Sequence, residues 1–173
     1  MIVLDIETTG LSPLVNSMVS LGAVDYVTGE EFYGECRIHP DTQINQTALD
    51  INGFTVEQVT DRSKVLPVVL YLNFLNWSTK FDNKLLAGHN IGHFDILFLE
   101  YYHAHLNKIY GPQNWPFGYR TLDLHSVAFI VLGKSLNHEG ICTELGLPIE
   151  PKPHNALVGA RSERDAFRKL LIK

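Results

Sequence analysis

The order of segments along the chain predicts an α/β fold, a mixed sheet with helices packed on it. Three observations carry that prediction. MIVLDI is a short apolar run ending in acids and reads as a buried strand. VSLGAVDYV and EFYGECRIH flank the turn pair Thr28-Gly29 and read as a hairpin within residues 18 to 39. From LLAG onward, strand-like and helix-like segments alternate. Meander strands followed by strand and helix units suit a sheet with both antiparallel and parallel neighbours.

Each element has its own signal. TTGLSPLVN, rich in turn residues, leads from the first strand to the hairpin. Residues 45 to 59 read as short helices or turns broken at Gly53. Ser63 is placed to cap a helix running to about Trp77, with Pro67 in its first turn. LLAG is a short buried strand; GHNIGH and a helix from about Phe94 to Leu106 follow, with Leu97, Tyr101 and Ala104 on one face. GPQNWPFG is a loop, YRTLDL a strand and SVAFIVLG a helix ending at Gly133. Ser135 is placed to cap a helix that stops at Gly146, and the last helix begins after Pro153. Residues 1 to 173 read as a single domain without a linker.

Bulk properties narrow the function. A chain of 173 residues can bury a proper core, and no apolar run is long enough for a membrane span. The start, MIVLDIE, has neither basic region nor cleavage site, so no signal peptide is expected. Cys36 and Cys142 lie far apart without metal-binding spacing, which suits a reduced, cytoplasmic setting. A formal net charge of −5 excludes coating nucleic acid by bulk positive charge. It leaves room for a local site at a nucleic-acid end, where divalent cations bring positive charge of their own.

Four places hold candidate chemistry. Asp5 and Glu7 are two apart on a strand, so both carboxylates share a face while Ile6 faces the core. Two acids at the mouth of a buried strand call for a cation, and oxygen donors suit Mg²⁺ or Mn²⁺; solvated acids at a strand end are the plainer alternative. Thr8, Thr9, Gly10 and Leu11 follow at once, a loop able to hold a sugar or phosphate or simply to leave the strand. In GHNIGHFD, Asn90 is placed to cap the coming helix and Asp95 falls in its first turn, where the helix dipole favours a carboxylate. His154 follows two prolines and precedes the last helix, a stiffly held histidine able to take a proton near neutral pH. The other seven histidines show no metal-ligand pattern.

Together these motifs resemble the exonuclease family named for four acids and a histidine, the DEDDh group. DIETTG matches its Asp-x-Glu-Thr-Thr-Gly, GHNIGHFD its Asn followed by Phe-Asp, and HNALVGA its His-x-Ala-x-x-Asp-Ala except for the Asp. The likeness covers about residues 2 to 171 and is nearest to proofreading subunits of bacterial replicative polymerases and related stand-alone nucleases. It implies a ribonuclease H-like five-stranded mixed sheet flanked by helices. It also implies hydrolysis at single-stranded DNA or RNA 3′ ends with two divalent cations, Mg²⁺ or Mn²⁺, about 3.5–4 Å apart. Asp5 would then bridge both ions, Glu7 bind the first, Asp95 act at or just outside the ion shell and His154 deprotonate the attacking water. Leu11 would wedge against the terminal bases, Thr8, Thr9 and Gly10 meet the terminal 3′ hydroxyl, and Asn90 line the same pocket.

The departure is Gly159, where the family pattern has a metal-binding Asp. Even outer-shell losses at metal sites cost roughly 10–100-fold, so an activity lowered by several orders of magnitude is expected. Glu163, one helical turn on, is a candidate stand-in, whereas Asp165 is rotated away. Glycine also costs roughly 1 kcal/mol against alanine inside a helix, and nothing local in the sequence asks for it. Two other readings stand beside the weakened exonuclease: a module that holds 3′ ends without cutting, and a proofreading subunit acting through a polymerase. Retention of Asp5, Glu7, Asp95 and His154 argues against the first, and an end at Lys173, just after the last helix, argues against a tether for the second.

Overall fold

The computed structural model describes residues 1–171. β1 (Ile2–Thr8), β2 (Met18–Asp25), β3 (Glu31–Glu35), β4 (Leu86–Gly88) and β5 (Thr121–Asp123) form one sheet in the order β3-β2-β1-β4-β5. β1 is antiparallel to β2 and parallel to β4, and β4 is parallel to β5. The predicted mixed sheet is therefore present. β1 lies at its centre with both faces covered, which is why its sequence is a nearly unbroken apolar run.

The period of two along β1 divides the interior. Ile2, Leu4 and Ile6 pack with Tyr71, Phe74, Phe98 and Leu99 on the side of α3 (Pro67–Ser78) and α4 (Asp95–Tyr110). Val3 packs on the opposite side with Leu124, Ala128 and Phe167, beneath α5 (Leu124–Leu132) and α7 (Ala156–Leu171). Asp5 and Glu7 continue the row of Val3 and so face α7. The short helices α1 (Gln46–Asn52), α2 (Val56–Thr60) and α6 (His138–Leu145) complete the chain.

Several expected details differ. α3 starts at Pro67 with Leu66 before it, while the Ser63 amide donates to Asp61. Proline fixes the helix start by its own φ and needs no serine cap. α6 is capped by Asn137, whose side chain accepts the Gly140 amide, and Ser135 pairs with His125 instead. Asn90 does not cap α4. It takes a left-handed conformation at φ 56° in the turn before Ile91–His93, and Phe94 occupies the cap position.

The face of α4 is also shifted from expectation. Phe98, Leu99, Tyr102 and Leu106 are buried, whereas Leu97 and Ala104 are exposed. Asp95 belongs to the buried stripe, and the helix is turned to point this acid inward. A reading by apolar period alone leaves such an acid out.

Candidate active site

β1 brings Asp5 and Glu7 side by side on the α7 face, Asp5 partly buried and Glu7 buried. Asp95 arrives from the other side. β4 ends at Gly88 and pairs with β1 only near Ile2 and Val3, so the edge of β1 beyond it has no strand neighbour. The Asp95 carboxylate takes that place, accepting the Ile6 amide at 3.1 Å. A backbone donor that would otherwise be orphaned thus positions the third acid.

α7 lies unusually close to the sheet at this point. On Gly22, the β2 residue opposite Asp5, a Cβ would run into the backbone of Ala156 and Leu157 at the start of the helix. On Gly159 a Cβ would collide with the Asp5 carboxylate. Gly159 lies inside α7 with no turn or bulge, as expected, and a side chain there would have to turn the Asp5 carboxylate aside. One turn along the same face, Glu163 is 5% exposed, and its Oε2 is buried without a hydrogen-bond partner. Asp165 is exposed.

His154 sits ahead of α7, its amide donating to the Ile51 carbonyl at 3.0 Å. Its side chain is 34% exposed, and Nδ1 lies 3.8 Å from Glu150 Oε2. Glu150 is a site residue that the sequence did not reveal. Its side chain is 6% exposed, Oε1 accepts the Asn155 amide at 3.0 Å, and donor atoms of Glu7, Glu150 and His154 lie within 4.8 Å of one another. Glu150 belongs to the irregular segment IEPKP, where no periodicity announces a buried acid. Glu150 and His154 border a cleft of about 490 Å³ whose wall includes Ile51, His89 and His138.

The loop after β1 is held from within. Thr8 Oγ1 donates to the Gly10 carbonyl and Thr9 Oγ1 to the Gln43 carbonyl, so both hydroxyls shape the loop. Gly10 has φ +155°, a conformation that favours glycine, and a Cβ there would strike Asn16. Leu11 stands out at 81% exposure. Asn90 is exposed beside His89. Asn52, also missed in the sequence, is buried and donates to the Thr8 carbonyl at 3.0 Å.

Crowding of acids dominates the electrostatics. Burial pushes Glu7 up to about 8, helped by the charges of Glu150 and Asp95 and opposed by an Asn52 hydrogen bond. Burial also raises Asp95 to about 7, against the pull of its own amide and that of Ile6. Asp5 is held well above the carboxylate range by burial and then by the charges of Glu163, Glu7, Asp95 and Glu150. Glu163 is raised likewise, first by burial and then by Asp95. Among the described residues no Lys or Arg ion pair reaches any of these four acids. Burial lowers His138 to about 4, with His89 and His154 adding to the effect, so this side chain of the cleft wall is uncharged at neutral pH. The arrangement is a concentrated, oxygen-rich negative site with a histidine at its rim.

Comparison with known proteins agrees. The RNase T model, described as exonuclease, matches residues 2–162. A PolC-type DNA polymerase III of Thermotoga petrophila is 29% identical over 98% of this chain but only 12% of its own length, so the chain spans a small part of that relative. The 3′-5′ DNA exonuclease Cap18 of Escherichia coli is 29% identical over 95% of this chain and 87% of its own. Among solved structures, E. coli exonuclease I in complex with a dA16 oligonucleotide superposes with a TM-score of 0.74 at 18% identity, over 98% of this chain and 40% of that one. The nuclease domain of 3′hExo, a DEDDh family member bound to rAMP, gives 0.72 at 18% identity over 95% and 88%. At that identity the likeness establishes the fold, the ribonuclease H-like mixed sheet flanked by helices.

Proposed function

This chain belongs to the RNase T family of exonucleases, and from that premise we propose that it removes nucleotides from single-stranded 3′ ends by metal-dependent hydrolysis, at a rate held low by Gly159. The observation that carries the proposal is the convergence of Asp5 and Glu7 from β1, Asp95 from α4 and His154 from the approach to α7. Buried carboxylates without a basic partner suit hard divalent cations, Mg²⁺ or Mn²⁺, and the oxygen-rich donor set fits them. Two such cations supply charge neutralisation at the phosphate and an activated water.

The residues of the chain divide the remaining work. Asp5 and Glu7 would hold the cations, with Asp95 at their edge. His154 accepts the proton of the attacking water from the cleft rim, and Glu150 orients its ring. Leu11 projects far enough to press on a terminal base, while Thr8, Thr9 and Gly10, with Asn90, shape the pocket for the terminal sugar. At position 159 no side chain helps hold a cation, so activity falls by more than the roughly 10–100-fold typical of an outer-shell loss. A module that grips 3′ ends without cutting is the second reading, favoured by that one missing carboxylate.

The Cap18 relative is named for DNA and the 3′hExo complex holds a ribonucleotide, so both polymers belong in the test. A polymerase partner is suggested by the PolC-type relative and is tested by pull-down. A single domain working in the cytoplasm completes the reading; among the described residues no helix is long and apolar enough to cross a membrane.

The deciding experiment follows 5′-labelled DNA and RNA strands with Mg²⁺ and then Mn²⁺, comparing the native chain with Gly159→Asp. Shortening from the 3′ end that is slow in the native chain and fast in the variant supports the proposal. Equal cutting by both removes the role given to Gly159. Binding without cutting by both leaves the second reading.

A further inference from the structure

We propose that Glu163 supplies the carboxylate that position 159 lacks, so that α7 closes the cation site one turn beyond Gly159. The inference rests on the reading of the site as a divalent-cation centre and adds a ligand to it. The carrying observation is an uncommitted oxygen: Glu163 is buried among acids, and its Oε2 is sealed from solvent with no hydrogen-bond partner. Unpaired buried carboxylate oxygens are costly, and a bound cation removes the cost.

Geometry directs this oxygen at the site. Residues four apart on a helix stand on the same face, one turn or about 5.4 Å apart. Helical side chains lean toward the N-terminus, so a residue covers the turn before its own Cα. Position 159 lies one turn before Glu163 on that face, the Asp5 carboxylate fills the space over it, and the charge of Glu163 acts on Asp5. At its far end Oε2 lies over Gly88, 3.3 Å from where a Cβ would be, and Gly88 has none. The spaces over Gly159 and Gly88 are thus taken by the carboxylates of Asp5 and Glu163 respectively.

Glu150 and Asp95 each have one oxygen held by a backbone amide. Glu150 has one oxygen on the Asn155 amide and the other beside His154. Asp95 is fixed by the Ile6 amide. Ser162, adjacent to Glu163, is turned toward Cys142 and His138. Among the described residues Glu163 Oε2 is the carboxylate oxygen both sealed from solvent and without a hydrogen-bond partner.

The test is Mn²⁺ binding by calorimetry and by the electron paramagnetic resonance of free Mn²⁺, on the native chain, Glu163→Gln, Gly159→Asp and the double variant. The expected result is a ten- to hundred-fold loss of Mn²⁺ affinity in Glu163→Gln, regained in Gly159→Asp/Glu163→Gln. Glu163→Gln that folds and binds Mn²⁺ as the native chain does would overturn the proposal, leaving Glu163 a protonated buried acid. So would a native chain that binds no Mn²⁺ while Gly159→Asp does; that result leaves the exonuclease reading intact. Should Glu163→Gln not fold, Glu163→Asp, which retracts the oxygens by one methylene, carries the same comparison, and unchanged affinity there is equally fatal.

Discussion

Asp95 and Glu163 are two buried acids that approach the same strand from opposite faces of the sheet, and the fold treats them differently. Asp95 is built into the backbone scheme, replacing a strand neighbour at the Ile6 amide. Glu163 faces the acids with an oxygen that nothing in the protein satisfies. The difference separates a carboxylate that the fold needs from one that only a counter-charge can justify. An acid that positions backbone is useful with or without a cation, whereas an orphaned one is a cost until the cation arrives.

That contrast can be broken or sharpened by measurement. Gly159→Asp has the largest expected effect, raising the 3′-5′ degradation rate by more than roughly 100-fold, since it adds a carboxylate beside Asp5 to the one that Glu163 supplies from a turn away. An unchanged rate would mean that Glu163 alone serves the reaction as well as an Asp at 159. His154→Ala should come next, with a loss of about 10²–10⁴-fold at neutral pH in the Gly159→Asp background. A rate that survives this change takes the proton elsewhere.

Stability separates the two acids directly. In EDTA at pH 8, Asp95→Ala should cost about 1–3 kcal/mol in urea unfolding, because the buried Ile6 amide loses its acceptor, while Asp95→Asn, which keeps an acceptor, should cost less. Glu163→Gln should instead raise stability under the same conditions by relieving like-charge crowding. If both acids behave alike, the contrast drawn here is wrong. Gly22→Ala should cost about 1–3 kcal/mol through overpacking against the α7 backbone.

The crowding of acids also predicts a pH slope. Glu7 rises from an ordinary 4.5 to about 8 on folding, and Asp95 from 3.8 to about 7. The folded state therefore holds more protons than the unfolded one across that span, and stability falls as pH rises. Without metal the melting temperature should decline from about pH 4.5 to pH 8 by this linkage, and saturating Mn²⁺ should flatten the decline. A melting temperature that rises through this window in EDTA contradicts the crowding described above.

What was legible in the sequence followed from short-range periodicity. The strand period places Asp5 and Glu7 on one face, and His154 and Asp95 stand out by their positions before and within helix starts. An apolar period misplaces the α4 face because its buried stripe contains Asp95. Ser63 and Ser135 are good caps by type, yet Pro67 and Asn137 set where those helices begin. Glu150 lies in a proline-rich loop without a repeat, so only the folded path brings it to His154. The contact of position 159 with Asp5 is invisible in the sequence for the same reason, because the two lie far apart along the chain.

The contact of Gly22 with the start of α7 acts as a calliper. Where backbone rests on backbone, the gap between helix and sheet is set by the thickness of the peptide chain, not by the size of any side chain. Changes to the apolar filling farther along α7 can then alter its tilt or its grip without resetting the gauge at Asp5. A protein built this way can accept many substitutions in its interior while the separation of its charged groups stays the same.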